Sequence, residues 1–394
     1  MPLGLTSDPL GTFIKRTALN PAFTLLFLLL ARYTKRGSDL SILHSTAYSR
    51  IKTLFYFGLV RLASGYFDQK VLDNWTSDEY DWSEKGEIVL ITGGAGGIGG
   101  QVVKLLAERG TRVVVLDVIP MTFEAPKNVY YYKCDITSPA TLAAVGKEIR
   151  KDVGNPTILI NNAGKSPSRI FFSGQGAFIN YINKTNLSPG VARGKNILDA
   201  TEKDVRFTFD VNTLAHYWTA KEFVPSMVAA NHGMVVTVAS FAAYITVPNM
   251  TDYGASKAAA LAFHEGLTAE LKTRYNAPKV RTIVINQGYT KTPLFEGYHN
   301  DSPFLVPTLE PETVAEAIVE KVWKGRSGQV IIPGFGVTLT FLRGFPHWYQ
   351  VGLRAKGENI MTKWKGRQVI DPNKNGEKEG SESSSTVLVP PAAK

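Results

Sequence analysis

The sequence predicts an α/β fold: a doubly wound, parallel, seven-stranded sheet with helices on both faces. Seven short runs rich in Val, Ile and aromatic residues recur between Glu87 and Phe335, and stretches of helical period separate them. A glycine-rich turn joins the first run to the first helical stretch. A hydrophobic N-terminal extension precedes this region.

Residues 1–83 form that extension. The run Ala22 to Ala31 (AFTLLFLLLA) and a second stretch, Leu54 to Leu62, are flanked by Lys15, Arg16, Arg32, Lys35, Arg36, Arg50 and Lys52. A helix needs roughly 20 apolar residues to span a bilayer, and neither run reaches that. Basic flanks and aromatic edges suit shallow insertion at anionic headgroups, which makes residues 1–83 a membrane-associating segment. The alternative is a pair of helices packed on the domain surface. A cleaved signal peptide is disfavoured, because the apolar run starts late and no small-x-small site follows it.

The α/β domain covers 84–336. Its strand candidates are Glu87 to Thr92, Arg112 to Val118, Val129 to Cys134, Thr157 to Asn161, Met234 to Ala239, Val280 to Asn286 and Gln329 to Pro333, with intervening helices. Residues 337–372 contain FLRGFPHWYQVGLR, an amphipathic segment that suits a second membrane contact or a lid. The tail 373–394 is rich in Glu, Lys, Gly and Ser and is predicted to be disordered.

The 394 residues are 44% hydrophobic and 11% aromatic, enough for a substantial core, which excludes global disorder and small disulfide scaffolds. Cys134 has no intrachain partner, and no Cys/His spacing suggests a metal. The net charge of +10 sits at the ends: nine basic and three acidic residues in 1–70, nine and five in 341–394, and 26 of each between. A neutral centre with two basic arms argues against nucleic acid and for an acidic membrane surface.

The first strand runs into Thr92-Gly-Gly-Ala-Gly-Gly-Ile-Gly99 and then an apolar-periodic helix. Such a turn brings backbone N–H groups close to a pyrophosphate, which the helix N-terminus stabilises, as in Rossmann folds. Gly93, Gly97, Ile98 and Gly99 are its cofactor-facing candidates. Asp117 ends the next strand, where a carboxylate accepts from ribose hydroxyls and repels a 2′-phosphate. The cofactor is therefore expected to be NAD, with NADP as the alternative.

Tyr253-Gly-Ala-Ser-Lys257 places a phenol and an ammonium on one helix face. A free tyrosine titrates near ~10, and an adjacent Lys⁺ favours the phenolate, so Tyr253 is expected to have a lowered pKa and to shuttle a proton to or from an alcohol oxygen. Ser240 ends the strand GMVVTVAS, at the carboxyl edge where open sheets bind ligands.

As a set, TGGAGGIG, Asp117, CDIT, NNAG, VNT, Ser240, YGASK and QGYTKT resemble the short-chain dehydrogenase/reductase family in composition and order, over about 87 to 335. The resemblance implies Tyr253 as general acid/base and Lys257 as binder of the nicotinamide ribose. It implies Ser240 as the group polarising the substrate oxygen, and Asn212 as holder of a relay water. Asp135 would contact the adenine and Asn162 the adenosine side, with Thr292 and the Thr290 backbone at the carboxamide. Gln287 stands where the family has Pro. The extension, VTVAS and the aromatic C-terminal segment are similar to the membrane-associated branch of retinol and hydroxysteroid dehydrogenases.

Between NNAG and VNT the chain carries an excess, Lys165 to Pro189. Its edges can be encoded with splice donor, branch-point and acceptor sequences in frame, so the excess is a retained intron or, alternatively, a lid whose aromatics cover a greasy substrate.

These readings make the protein an oxidoreductase of lipid metabolism that acts on a lipophilic alcohol or carbonyl. They put it on the cytosolic face of the endoplasmic reticulum or a lipid droplet, with a homodimer allowed. The alternatives are a soluble NADPH-dependent carbonyl reductase and a non-catalytic dinucleotide-binding protein.

Overall fold

The computed structural model describes residues 6–83, 86–162, 195–292, 300 and 302–360. The 165–189 excess, the end of the 337–372 segment and the 373–394 tail lie outside the described residues. The chain divides into a helical unit, Leu3–Thr76, and a unit that holds the sheet, from Ser77 on.

The helical unit contains α1 (Ser7–Arg16), α2 (Pro21–Tyr33), α3 (Lys35–Leu43) and α4 (Ser45–Leu72). Asn20 caps α2 by accepting from Ala22 N at 3.1 Å, and Pro21 fills the first helical position, where its missing N–H costs nothing. Gly58 lets α4 approach the chain ahead of α2, since a Cβ there would meet Leu19 O at 2.9 Å. Phe23, Leu26, Phe27 and Leu30 of α2 remain exposed, as do Tyr56, Phe57 and Val60 of α4. Among the described residues no single helix is long and apolar enough to cross a membrane; α1 and α2, bent by 47°, meet that length and composition only as a pair.

The second unit is built on β1 (Ile88–Thr92), β2 (Arg112–Asp117), β3 (Val129–Lys133), β4 (Ile158–Asn161), β5 (Met234–Val238), β6 (Arg281–Gln287) and β7 (Gly328–Ile332). They form one parallel sheet in the order 3-2-1-4-5-6-7. Among the described residues, the helices of this unit longer than one turn are α5 (Gly97–Glu108), α6 (Pro139–Asp152), α7 (Glu202–Phe209), α8 (Ala215–Ala230), α9 (Thr251–Thr273), α10 (Pro311–Trp323) and α11 (His347–Ala355). Alternate strand residues serve opposite faces, which is why both must be apolar. Leu90, Val114, Leu159 and Val235 pack with Leu142 of α6 and Phe223 of α8. Ile91, Val113, Ile160 and Ile283 pack with Val103 of α5 and Ile318 of α10.

One connection departs from expectation. Residues 118–128 link the parallel neighbours β2 and β3 without a helix. Eleven residues interrupted by Pro120 and Pro126 are too few for the usual helical crossover. The link is instead pinned over the glycine turn: Thr122 donates to Ala95 O through its N–H (3.0 Å) and its hydroxyl (2.6 Å). Asn128 Nδ2 closes the far end on Ala107 O and Thr111 O, at 2.9 and 2.8 Å.

Candidate active site

The turn after β1 needs its glycines. Gly93 (φ 70°) and Gly97 (φ 58°) occupy the left-handed region, and a Cβ on Gly99 would collide with the Gly93 carbonyl and the Asn162 amide. No side chain caps the start of α5 and no acid lies in its first turn, so the first N–H groups of the helix face outward as an anion cradle. These features fit a dinucleotide's diphosphate.

Asp117 is only 1% exposed, and backbone N–H groups already engage it. Its Oδ2 accepts from Ala95 N at 3.0 Å and its Oδ1 from Val118 N at 2.8 Å, tying the end of β2 to the glycine turn. The Oδ1 also accepts from Ile119 N at 3.3 Å, so backbone N–H groups from both the glycine turn and the chain after β2 converge on this carboxylate. Asp135 is half-buried and holds an Asx-turn, accepting from Thr137 N (2.9 Å) and Thr137 Oγ1 (2.7 Å). Asn162 clamps β4 to the turn, donating through its amide to Thr92 O (3.3 Å) and Gly93 O (3.4 Å).

Of the residues singled out in the sequence, Ile98, Asn162, Ser240, Tyr253, Lys257, Thr290 and Thr292 line one cavity of about 770 Å³. Asp117, Asp135 and Asn212 are not among its walls. Ser240, at the carboxyl end of β5, accepts from Ala242 N at 3.2 Å and is hydrogen-bonded to the Tyr253 phenol. Lys257 Nζ donates to Val238 O at 2.9 Å and stands 5.9 Å from the centroid of the Tyr253 ring. Asn212, in the wide turn Asp210–Leu214, donates to Ser256 Oγ at 3.0 Å, and Ser256 donates in turn to the Tyr253 carbonyl at 2.8 Å. Among the bonds seen here, the Asn212 amide positions the first turn of α9.

The electrostatics correct one expectation. Lys257 was expected to lower the Tyr253 pKa, yet burial dominates and pushes the phenol up to about 12, with the Ser240 hydrogen bond acting the other way. Burial also brings Lys257 down to about 8, which weakens the cation that was to stabilise a phenolate. The reason is enclosure: Tyr253 and Lys257 are 4% and 3% exposed.

Sequence reasoning missed most of the cavity wall. Phe241, Ile245, Val247 and Met250 come from the loop between β5 and α9, Leu305 and Val306 from the loop before α10. Leu339, Leu342, Tyr349 and Leu353 come from the C-terminal segment, so the cavity-facing side of FLRGFPHWYQVGLR is a wall rather than a separate element. Trp348 and Val351 of the same segment are 76% and 66% exposed. Apolar residues in loops carry no periodicity that could have placed them.

Residues 87–302 match the family described as short chain dehydrogenase. The chain is 41% identical over 236 residues to the dehydrogenase RED2 of Cochliobolus heterostrophus, covering 59% of this chain and 78% of that one. It is 31% identical over 313 residues to short-chain dehydrogenase/reductase family 16C member 6 of Bos taurus, covering 77% and 87%. Human epidermal retinol dehydrogenase 2 is 32% identical over 269 residues, covering 66% and 78%. Among solved structures, a short chain dehydrogenase from Burkholderia cenocepacia in complex with NADP superposes with a TM-score of 0.54 at 22% identity, over 69% of this chain and 98% of that one.

Proposed function

The chain belongs to the short-chain dehydrogenase family, and from that premise we propose that it moves a hydride between a nicotinamide dinucleotide and a lipophilic alcohol or carbonyl. The observation that carries the reading is the cavity in which Tyr253, Ser240 and Lys257 meet an apolar wall. Such a cavity takes a large nonpolar molecule and leaves only a few polar groups to orient its one reacting oxygen. The relative named epidermal retinol dehydrogenase 2 supports a lipophilic substrate class.

The dinucleotide, when bound, supplies the hydride acceptor or donor; the remaining work belongs to side chains. Tyr253 exchanges the proton of the substrate oxygen and Ser240 orients that oxygen by hydrogen bonding. Lys257 carries positive charge beside the phenol, and Asn212 holds the helix turn that presents Tyr253. With the phenol pushed up, Tyr253 is protonated at neutral pH, the form that serves carbonyl reduction. A cofactor-turnover screen over sterols, retinoids and long-chain alcohols and their carbonyl forms tests the proposal. Turnover on at least one class is expected, and none on any of them sinks it.

The preferred cofactor is NAD, since a 2′-phosphate beside buried Asp117 would meet a like charge. Asp117→Ala is expected to narrow the NAD preference while weakening both cofactors, because it also releases the N–H groups of Ala95 and Val118. Losing charged hydrogen bonds of this kind costs about 1.5–3 kcal/mol. Paired Kd measurements check it; an unchanged NAD/NADP ratio removes Asp117 as the selector.

We also read the basic N-terminal unit, with its exposed apolar residues, as a docking element for an acidic membrane surface such as the cytosolic face of the endoplasmic reticulum or a lipid droplet. In flotation with anionic vesicles the full chain should rise and a chain lacking residues 1–70 should partition less. Equal partitioning ends that role for the extension.

A further inference from the structure

The turn that holds Ser240 is shared with the C-terminal wall of the cavity. The Ser240 hydroxyl accepts from Ala242 N at 3.2 Å and its carbonyl from Ala243 N at 3.0 Å, so the single turn Phe241–Ala243 fixes the serine where β5 ends. Phe241, the first residue of that turn, is 7% exposed and lines the cavity. Two backbones close on its ring. A Cβ at Gly288, in the loop after β6, would stand 3.1 Å from it, and a Cβ at Gly336, where the chain passes from β7 into the C-terminal segment, would overlap it. Gly336 has φ −56°, open to any residue, so the ring and not the backbone accounts for a glycine there.

The C-terminal segment meets the same loop twice more. Arg343 Nη2 donates to Ala243 O at 3.3 Å, and a Cβ at Gly357 would stand 2.5 Å from the Val247 side chain. Leu339, Leu342 and Leu353 of this segment line the cavity. The apolar wall and the serine are therefore joined through one buried ring. Interiors are close-packed, and a ring enclosed by two backbones transmits a shift of either.

We propose that Phe241 is a positioning residue, which fits the C-terminal wall to the Ser240 turn so that the apolar part of a bound substrate, packing on the wall, fixes the hydroxyl that orients its reacting oxygen. The inference rests on the reading of Ser240 as that group. Contact remote from the reacting atoms is then used for orientation at the reacting centre, and a truncated substrate loses kcat as well as affinity. Gly336 sets the seat of the ring. An added methyl there pushes Phe241 aside and takes the Ser240 turn with it, whereas Phe241→Leu leaves the seat underfilled. Together the two changes nearly conserve volume, and exchanges of that kind are tolerated best in a packed interior.

Butanal and dodecanal, reduced by the full chain with the dinucleotide in excess, test the coupling. Wild type is expected to turn over dodecanal with about tenfold the kcat of butanal. Gly336→Ala should bring the dodecanal kcat down to about the butanal value while KM stays within about threefold, and Phe241→Leu should lower the same ratio. The double variant should recover most of the loss, a coupling between neighbours that independent damage at two sites does not produce. An unchanged dodecanal-to-butanal ratio in the single variants, or a pair no better than either of them, overturns the proposal. Hydrogen exchange of a peptide spanning 240–245 reads the coupling without any turnover. It should be faster in Gly336→Ala or, should that variant not fold, in Phe241→Leu, and return toward wild type in the pair. Wild-type exchange in the single variants overturns the proposal. A wild type that reduces neither aldehyde tells against the hydride-transfer reading, and the exchange data then decide the coupling by themselves.

Discussion

Tyr253→Phe lowers kcat by about 10²–10⁴-fold while dinucleotide affinity stays within about twofold. The size follows from what is removed: a positioned proton donor or acceptor at the reacting oxygen, hydrogen-bonded to Ser240 and beside Lys257. The ring itself is retained, so the packing around a residue that is 4% exposed survives. Ser240 loses its bond to the phenol but keeps Ala242 N, and Lys257 keeps Val238 O. The fold should therefore lose only about 1 kcal/mol, the net worth of one hydrogen bond. Steady-state kinetics with a fluorescence titration of the dinucleotide separates the two effects. Residual turnover above a tenth of wild type would show that another group moves the proton.

The second large effect is on stability in mild acid. His216 and His264 are pushed down to about 3 and about 4 by burial. In the unfolded chain both titrate near ~6.5. Below that value the unfolded state binds two protons that the native state refuses, so stability falls as pH falls, with the full contribution present only above about 6.5. The slope is about 1.4 kcal/mol per pH unit per histidine, or about 2.7 for the pair. From pH 7 to 5 that removes about 4 kcal/mol, a large share of the 5–15 kcal/mol typical of a domain. Lys257, at about 8, is protonated in both states over this window and adds nothing to the slope. Urea unfolding at pH 7 and pH 5 measures it, and His264→Gln should roughly halve the difference. Equal slopes in wild type and variant would mean that His264 is accessible to protons in the native state.

Much of this architecture could be read from the chain alone, for identifiable reasons. A buried parallel strand must be apolar on both faces, so EIVLIT, RVVVLD and VRTIVIN stand out without any structure. The glycine turn and Tyr253/Lys257 stood out because each depends on spacing within a few residues. What escaped depends on contacts far apart in sequence. The high pKa of Tyr253 comes from enclosure by loops that bring no periodic signal. Asp117 was read as a ribose acceptor, and its hold on Ala95 N, 22 residues away, was invisible. His216 and His264 carry no motif, and their burial depends on α8 and α9 packing against strands whose register sets Asn161 beside Thr237.

The helix-free link between β2 and β3 also governs how costly the sheet is to assemble. Val113 pairs with Val129, the most local ladder in the molecule, and β1 pairs with β2 nearly as locally, Val89 with Val113. The β4/β5 ladder, by contrast, joins Ile158 to Met234. Because closure entropy grows with the logarithm of the span, the distant ladder costs about 1.4 kcal/mol more to close than the β2/β3 one. The glycine turn and Asp117 therefore rest on the pairings that lose least chain entropy, while Ser240 and Tyr253 follow the one that loses most. Lys165 to Pro189 falls within that longest span, where the logarithm makes 25 further residues worth only a few tenths of a kcal/mol.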